Sequence, residues 1–167
     1  MKSDEIIRVL GLLPHPEGGY YKEIYRSGEL IKKTSLPERY NNDRSISTSI
    51  YYMLAGEDFS AFHRLKSDEI WHFYSGSRII LHLLNEKKGY SKIVLGNNLT
   101  SGEIPQFVIE NGIYFAAEVS DKSSYSLIGC TVAPGFDFED FEFADESSLT
   151  RSFPWQSELI KKFCRKR

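Results

Sequence analysis

Between about residue 14 and residue 133 apolar and polar side chains alternate or cluster in short runs, each bounded by Gly, Asn, Asp or Pro. That spacing is the pattern of a β-sandwich or barrel. The runs are "GYYKEIYRS", "SISTSIYYML", "FSAFHRL", "EIWHFYS", "RIILHLL", "YSKIVLG", "QFVIE", "IYFAAEV" and "SYSLIGCTVA". No βαβ alternation and no internal repeat accompanies them, so a single all-β domain over residues 1–167 is expected. "QFVIENGIYFAAEV" reads as a hairpin, because Asn111 and Gly112 both tolerate the positive φ of a type I′ turn. "RIILHLL" and "SYSLIGCTV" are apolar on both faces, so their outer face needs a cover. A second sheet or a second subunit would supply it, and a homodimer is the expected assembly.

The ends read differently. Residues 3–13 form a short helix on this pattern, with Ser3 as its cap, Asp4 and Glu5 in its first turn, Ile6, Leu10 and Leu13 on one face, and Pro14 as its stop. "SFPWQSELIKKFCRKR" reads as a closing helix with Leu159, Ile160 and Phe163 inward. Ahead of it, "PGFDFEDFEFADE" reads as an ordered loop whose charges are a solvated face or fix the loop, and whose alternating Phe residues could close the mouth of a barrel. The loop between "YRSGE" and "NNDRS" is expected on the surface.

Composition narrows the function. Ten Tyr and eleven Phe are many for this length and favour sheets and pockets. The net charge is -2 and the basic residues are scattered outside the tail "KKFCRKR", which argues against nucleic acid as a partner. The acidic start lacks the features of a signal peptide and no apolar stretch is long enough for a membrane span, so no membrane association is expected. Cys130 and Cys164 stand far apart in no metal-like or redox-like spacing. Both read as free thiols in a reducing compartment, and the expected location is cytoplasmic.

The chemistry concentrates in "FHRLKSDEIWHFYSG". On a strand successive side chains alternate faces, so Glu69 and Trp71 point one way and His72 the other. A hairpin through Lys66 to Asp68 would set His63 opposite Glu69, within hydrogen-bond reach. Parity therefore supplies two inward ligands, His63 and Glu69, where a mononuclear metal site wants three or four. His82 would be a third only if it faced inward; no metal and no cofactor are expected. His63 and Glu69 are the candidate catalytic residues, because paired ionisable groups in an aromatic cleft are where shifted pKa values occur. A satisfied buried pair is the competing reading. His72 and His82 read as packing residues and His15 as part of the "PHPEGG" turn. Glu17 and Tyr21 are less easily dismissed, and "EGGYYKEIY" would put Tyr21 and Glu23 on one strand face as pocket candidates.

His63, Glu69 and Gly76 keep the His, Glu and Gly spacing of the first cupin motif, with Leu65 where a second His usually stands. "PHPEGGYYKEIYRS", "STSIYYMLAGEDFSAFHRLKSDEIWHFYSG", "PQFVIENGIYFAA" and "GCTVAPGFDFEDFE" occur in the order found in the fifth-type cupin family, which this chain resembles over roughly residues 10 to 143. The resemblance implies a cupin jelly roll, a double-stranded β-helix with short terminal helices, related in fold to the sugar epimerases of the rhamnose pathway. The segment matching the second cupin motif, "ENGIYFAA", contains no His. Fold alone does not give function, and two readings stay open. One is a metal-independent isomerase or epimerase acting on a small polar, carbohydrate-like metabolite, with His63 as base, Glu69 orienting it and a tyrosine donating. The other is a non-catalytic module binding such a ligand with Trp71, Tyr21, Glu23 and Tyr114. A metal-dependent enzyme using His63 and Glu69 is a third, dependent on a ligand not evident in the chain.

Overall fold

The alternating runs fold as two antiparallel sheets packed face to face. The computed structural model describes residues 2–165. In chain order the strands are β1 (Leu13–Pro14), β2 (Tyr20–Arg26), β3 (Leu30–Ile31), β4 (Arg44–Ser45), β5 (Thr48–Ala55), β6 (Phe59–Leu65) and β7 (Asp68–Gly76). They continue with β8 (Ile79–Asn85), β9 (Gly89–Leu95), β10 (Gln106–Ile109), β11 (Tyr114–Val119), β12 (Tyr125–Ala133) and β13 (Phe141–Phe143). The helices are α1 (Ser3–Leu10), α2 (Glu146–Ser152) and α3 (Ser157–Phe163). One sheet runs β1-β2-β5-β12-β7-β10, the other β13-β6-β11-β8-β9, and β3 with β4 form a small ribbon. This is the expected all-β jelly roll with short terminal helices.

Inward residues of both sheets form the core, among them Tyr52, Leu54, Trp71, Leu81, Leu83, Phe115 and Ile128. Each such side chain contributes roughly 1.5–3 kcal/mol when fully buried. The strands with two apolar faces get their cover from helices. On the five-stranded sheet, Phe62, Leu84 and Ala116 pack under Leu149 of α2 and Ile160 and Phe163 of α3. On the six-stranded sheet, Met53, Tyr51 and Leu127 pack with Ile6, Ile7 and Leu10 of α1. The cover expected from a second sheet or subunit is thus supplied, for "RIILHLL", by the chain's own C-terminal helices. Among the described residues no helix is long and apolar enough to cross a membrane.

Three local expectations need correction. "QFVIENGIYFAAEV" is not a hairpin: β10 pairs with β7 in one sheet and β11 with β6 and β8 in the other. Only Gly112 has positive φ, whereas a type I′ turn needs it at both central residues, so the turn carries the chain across the sandwich. The same holds for Lys66 to Asp68, because β6 and β7 belong to different sheets. Finally, Lys2 rather than Ser3 caps α1, its N–H bonded to Glu5 at 3.0 Å, and left-handed Gly11 rather than Pro14 ends it.

Candidate functional site

The sandwich is open at one end, and there a cavity of about 430 Å³ enters between the sheets. Its walls come from Tyr21 and Glu23 on β2, Thr48, Ile50 and Tyr52 on β5, Glu69 on β7, and Cys130 and Val132 on β12. The facing sheet adds His63 and Leu65 on β6 and Phe141 on β13. The turn before β2 adds His15 and Glu17, while Arg26, Phe136, Asp137 and Phe138 stand at the rim.

His63 and Glu69 therefore share the cavity, but they do not pair. The residue opposite His63 is Glu17, whose Oε2 lies 3.1 Å from Nε2. The other ring nitrogen, Nδ1, lies 2.7 Å from the Ala61 carbonyl, which can only accept. Nδ1 therefore carries a proton, and a hydrogen bond from Nε2 to Glu17 requires one more. The imidazole is clamped between Phe115, at 4.1 Å between centroids, and Phe141, stacked at 4.9 Å. Glu17 is buried, accepts the Ser60 hydroxyl at 3.1 Å through Oε1, and has His15 Nδ1 3.7 Å from Oε2. Burial lowers the His15 pKa below its usual range, opposed by the Glu17 carboxylate.

The turn that presents Glu17 depends on two glycines. Gly18 has φ +124° and Gly19 φ +65°, and a Cβ on either would run into backbone carbonyls, of Phe59 and Met53 respectively. The buried Tyr52 hydroxyl donates to the Gly18 carbonyl at 2.8 Å, and the Ala61 N–H bonds the Glu17 carbonyl at 3.0 Å. Burial and the nearby Glu17 carboxylate push the Tyr52 phenol well above its usual range, so Tyr52 serves as a strut.

Glu69 faces this group from the opposite sheet. It is buried, and Oε2 has no hydrogen-bond partner. Burial first, and the Glu17 charge second, push its pKa up to about 8; the Trp71 indole and Cys130 thiol oppose this only partly. At neutral pH it is a carboxylic acid, with a proton to donate.

The remaining sequence candidates are placed as follows. Tyr21 and Glu23 line the cavity; Tyr21 packs edge-on against His15 at 4.6 Å, and Glu23 binds Arg26 through both oxygens at 3.0 and 2.7 Å. Trp71 is one inward step deeper than Glu69, buried between Tyr52 and Phe115, and is a core residue rather than a stacking wall. Tyr114 faces outward, because its neighbour Phe115 faces in, and bonds Glu142 at 3.1 Å beneath the Arg64 guanidinium. His72 lies on the outer face beside Thr131, and His82 is outward too, between Tyr90, Glu118 and Phe163. His82 is thus no third ligand. Glu17, which the sequence marks only as less easily dismissed, is the partner of His63; its signal is a carboxylate placed immediately before two glycines.

The chain belongs to the family described as "Cupin superfamily (DUF985)", which matches residues 4–144. It is 32% identical to protein SO0799 from Shewanella oneidensis, with a TM-score of 0.89 over 100% of this chain and 99% of that one. It is 29% identical over 157 residues to the uncharacterised protein YML079W of Saccharomyces cerevisiae, covering 83% of this chain and 73% of that protein. Oxalate decarboxylase from Bacillus subtilis shares the fold at 14% identity and a TM-score of 0.55, over 92% of this chain and 37% of that one.

Many cupins hold a metal, and the donor set tests whether this one fits. Leu65 projects into the cavity where the first cupin motif usually has its second His. Nε2 of His63 is engaged by Glu17, and Glu69 comes from the facing sheet. Among the described residues no group of three or more His, Cys, Asp or Glu is arranged to hold an ion. The residues present do not fit a transition metal.

Proposed function

We propose that the cavity binds a small polar metabolite and moves a proton on it, as an isomerase or epimerase does next to a carbonyl. The observation that carries this reading is the pair of unlike acid–base groups on facing walls. Glu69 is held neutral by burial with Oε2 unpartnered, and Glu17 and His63 face each other across 3.1 Å. A carboxyl held neutral by its surroundings, facing other ionisable groups across a cavity, is the arrangement of an acid opposite a base. The Glu17 carboxylate, held beside His63, takes the proton from carbon on an oxygen lone pair, with Ser60 fixing Glu17 and the Ala61 carbonyl fixing His63. Glu69 donates to the carbonyl oxygen or returns a proton from the other side. The phenyl walls of Phe136, Phe138 and Phe141 keep bulk water from competing. A binding module would need the same lining but not a neutral carboxyl aimed at the ligand.

The test is solvent-deuterium incorporation at the carbon next to the carbonyl, across free aldoses, ketoses and other hydroxycarbonyl compounds. Incorporation should fall 10²-fold to 10⁴-fold in Glu17→Gln and in Glu69→Gln. It should also decline as pH rises through about 8, where Glu69 loses its proton. Saturable binding without exchange on any substrate would leave the module reading in place.

A further inference from the structure

The charge inventory of the cavity points to the class of ligand it takes. Four carboxyl groups line it, from Glu17, Glu23, Asp137 and the neutral Glu69, against the single guanidinium of Arg26 and two imidazoles. The guanidinium and the His63 imidazole are already engaged, and burial disfavours a charge on His15. Arg26 bonds both Glu23 oxygens and, through Nη1, the Phe136 carbonyl at 3.0 Å. His63 faces Glu17, and His15 Nδ1 receives the Glu17 backbone N–H at 3.3 Å. A phosphate group carries up to two negative charges and wants an Arg fork or helix N-terminus. It would find no free fork and no helix N-terminus among the described lining residues, and would approach the Glu17 carboxylate where charges are poorly screened.

One fully buried polar atom on the cavity wall has no partner. The Oε2 atom of Glu69 is buried, lacks a partner and sits on the cavity wall, which is a site for a ligand's lone pair. At 430 Å³ the cavity is near the small end of the range of about 300–1,000 Å³ typical of ligand pockets.

We propose that the cavity takes an uncharged hydroxycarbonyl compound, with its carbonyl oxygen toward Glu69, and turns away phosphorylated or nucleotide-linked ones. This rests on the reading of the cavity as the functional site and adds its substrate class.

Binding can be read without turnover, from the ring resonances of His63 and His15 in NMR titrations of the full chain. Dihydroxyacetone, a small neutral hydroxyketone, should shift the His63 ring signals saturably. Inorganic phosphate at the same concentrations should leave them unmoved at constant pH and ionic strength. Glu69→Leu, similar in size but without a donor, should weaken dihydroxyacetone binding about tenfold, the loss of one hydrogen bond. A saturable phosphate response overturns the proposal, as does an absent dihydroxyacetone response or an undiminished one in Glu69→Leu with its fold intact. Bound dihydroxyacetone with no deuterium exchange would count against the proton-transfer reading alone.

Discussion

Glu69 is a carboxyl whose proton the fold holds. Its pKa rises from the ordinary 4.5 to about 8 on burial. The folded state therefore binds more protons than the unfolded one between those values, and stability falls as pH rises through that window. At about 1.4 kcal/mol per unit the loss above pH 8 is of the order of 3–5 kcal/mol. Glu69→Gln removes that slope, so its melting temperature should decline less between pH 5 and pH 9 than that of the parent chain. Parallel melting curves would show that Glu69 titrates normally. The His63–Glu17 pair makes a separate prediction. The two side chains are in direct contact at 3.1 Å, so His63→Gln and Glu17→Gln should couple by roughly 0.5–3 kcal/mol in a double-mutant cycle of stability, whereas His63→Gln and Glu69→Gln should couple less. At this scale strand parity was readable: His63, Leu65, Glu69 and Tyr21 all face the cavity as alternation requires. The partner of His63 was not, because Glu17 arrives from a turn and period-two reasoning places only residues on strands.

The element that decides the site is the turn from His15 to Gly19. It ties Glu17 to β6 through the Ala61 N–H and to β5 through Tyr52, and its two glycines let the backbone pass against the carbonyls of Phe59 and Met53. Gly18→Ala and Gly19→Ala should each cost more than about 2 kcal/mol, combining a strained φ with a collision. Gly89→Ala is the control, since φ is +76° there but nothing lies within 4 Å of an added Cβ; about 1 kcal/mol is expected. Chemical denaturation of the three variants measures this, and an equal cost at all three would mean that the packing of the turn contributes nothing. The nine strand runs were legible because their turn residues are plain. Which strands pair was not: Asn111 and Gly112 mark a turn, but the same residues serve a hairpin and a crossover between sheets, and only the register of β10 on β7 separates the two.

For the molecule as a whole, the two-sided apolar runs announced a cover but not its source. On the five-stranded sheet the source is α3, whose Phe163 is fully buried between Phe59, at 5.4 Å, Phe62, at 6.2 Å, and His82, at 5.0 Å. Lys162 adds a bond of 2.8 Å to Glu118, whose carboxyl is held down at about 2 by Lys162 and Lys122 despite burial that opposes them. The homodimer expected from the sequence thus rests on the six-stranded sheet alone, where Ile24, Tyr74 and Val108 remain exposed beyond the reach of α1. A monomer in light scattering at micromolar concentration would count against it. Phe163→Ala separates the two kinds of cover. If α3 is what seals the five-stranded sheet, the substitution should cost about 3–5 kcal/mol, the usual range for a buried Phe. Because Phe62 lies next to His63 on β6, the loosened strand should also broaden the His63 ring signals. Urea unfolding at two protein concentrations is the measurement. A cost below about 1 kcal/mol that grows on dilution would mean that another copy of the chain, and not its own helix, closes this face.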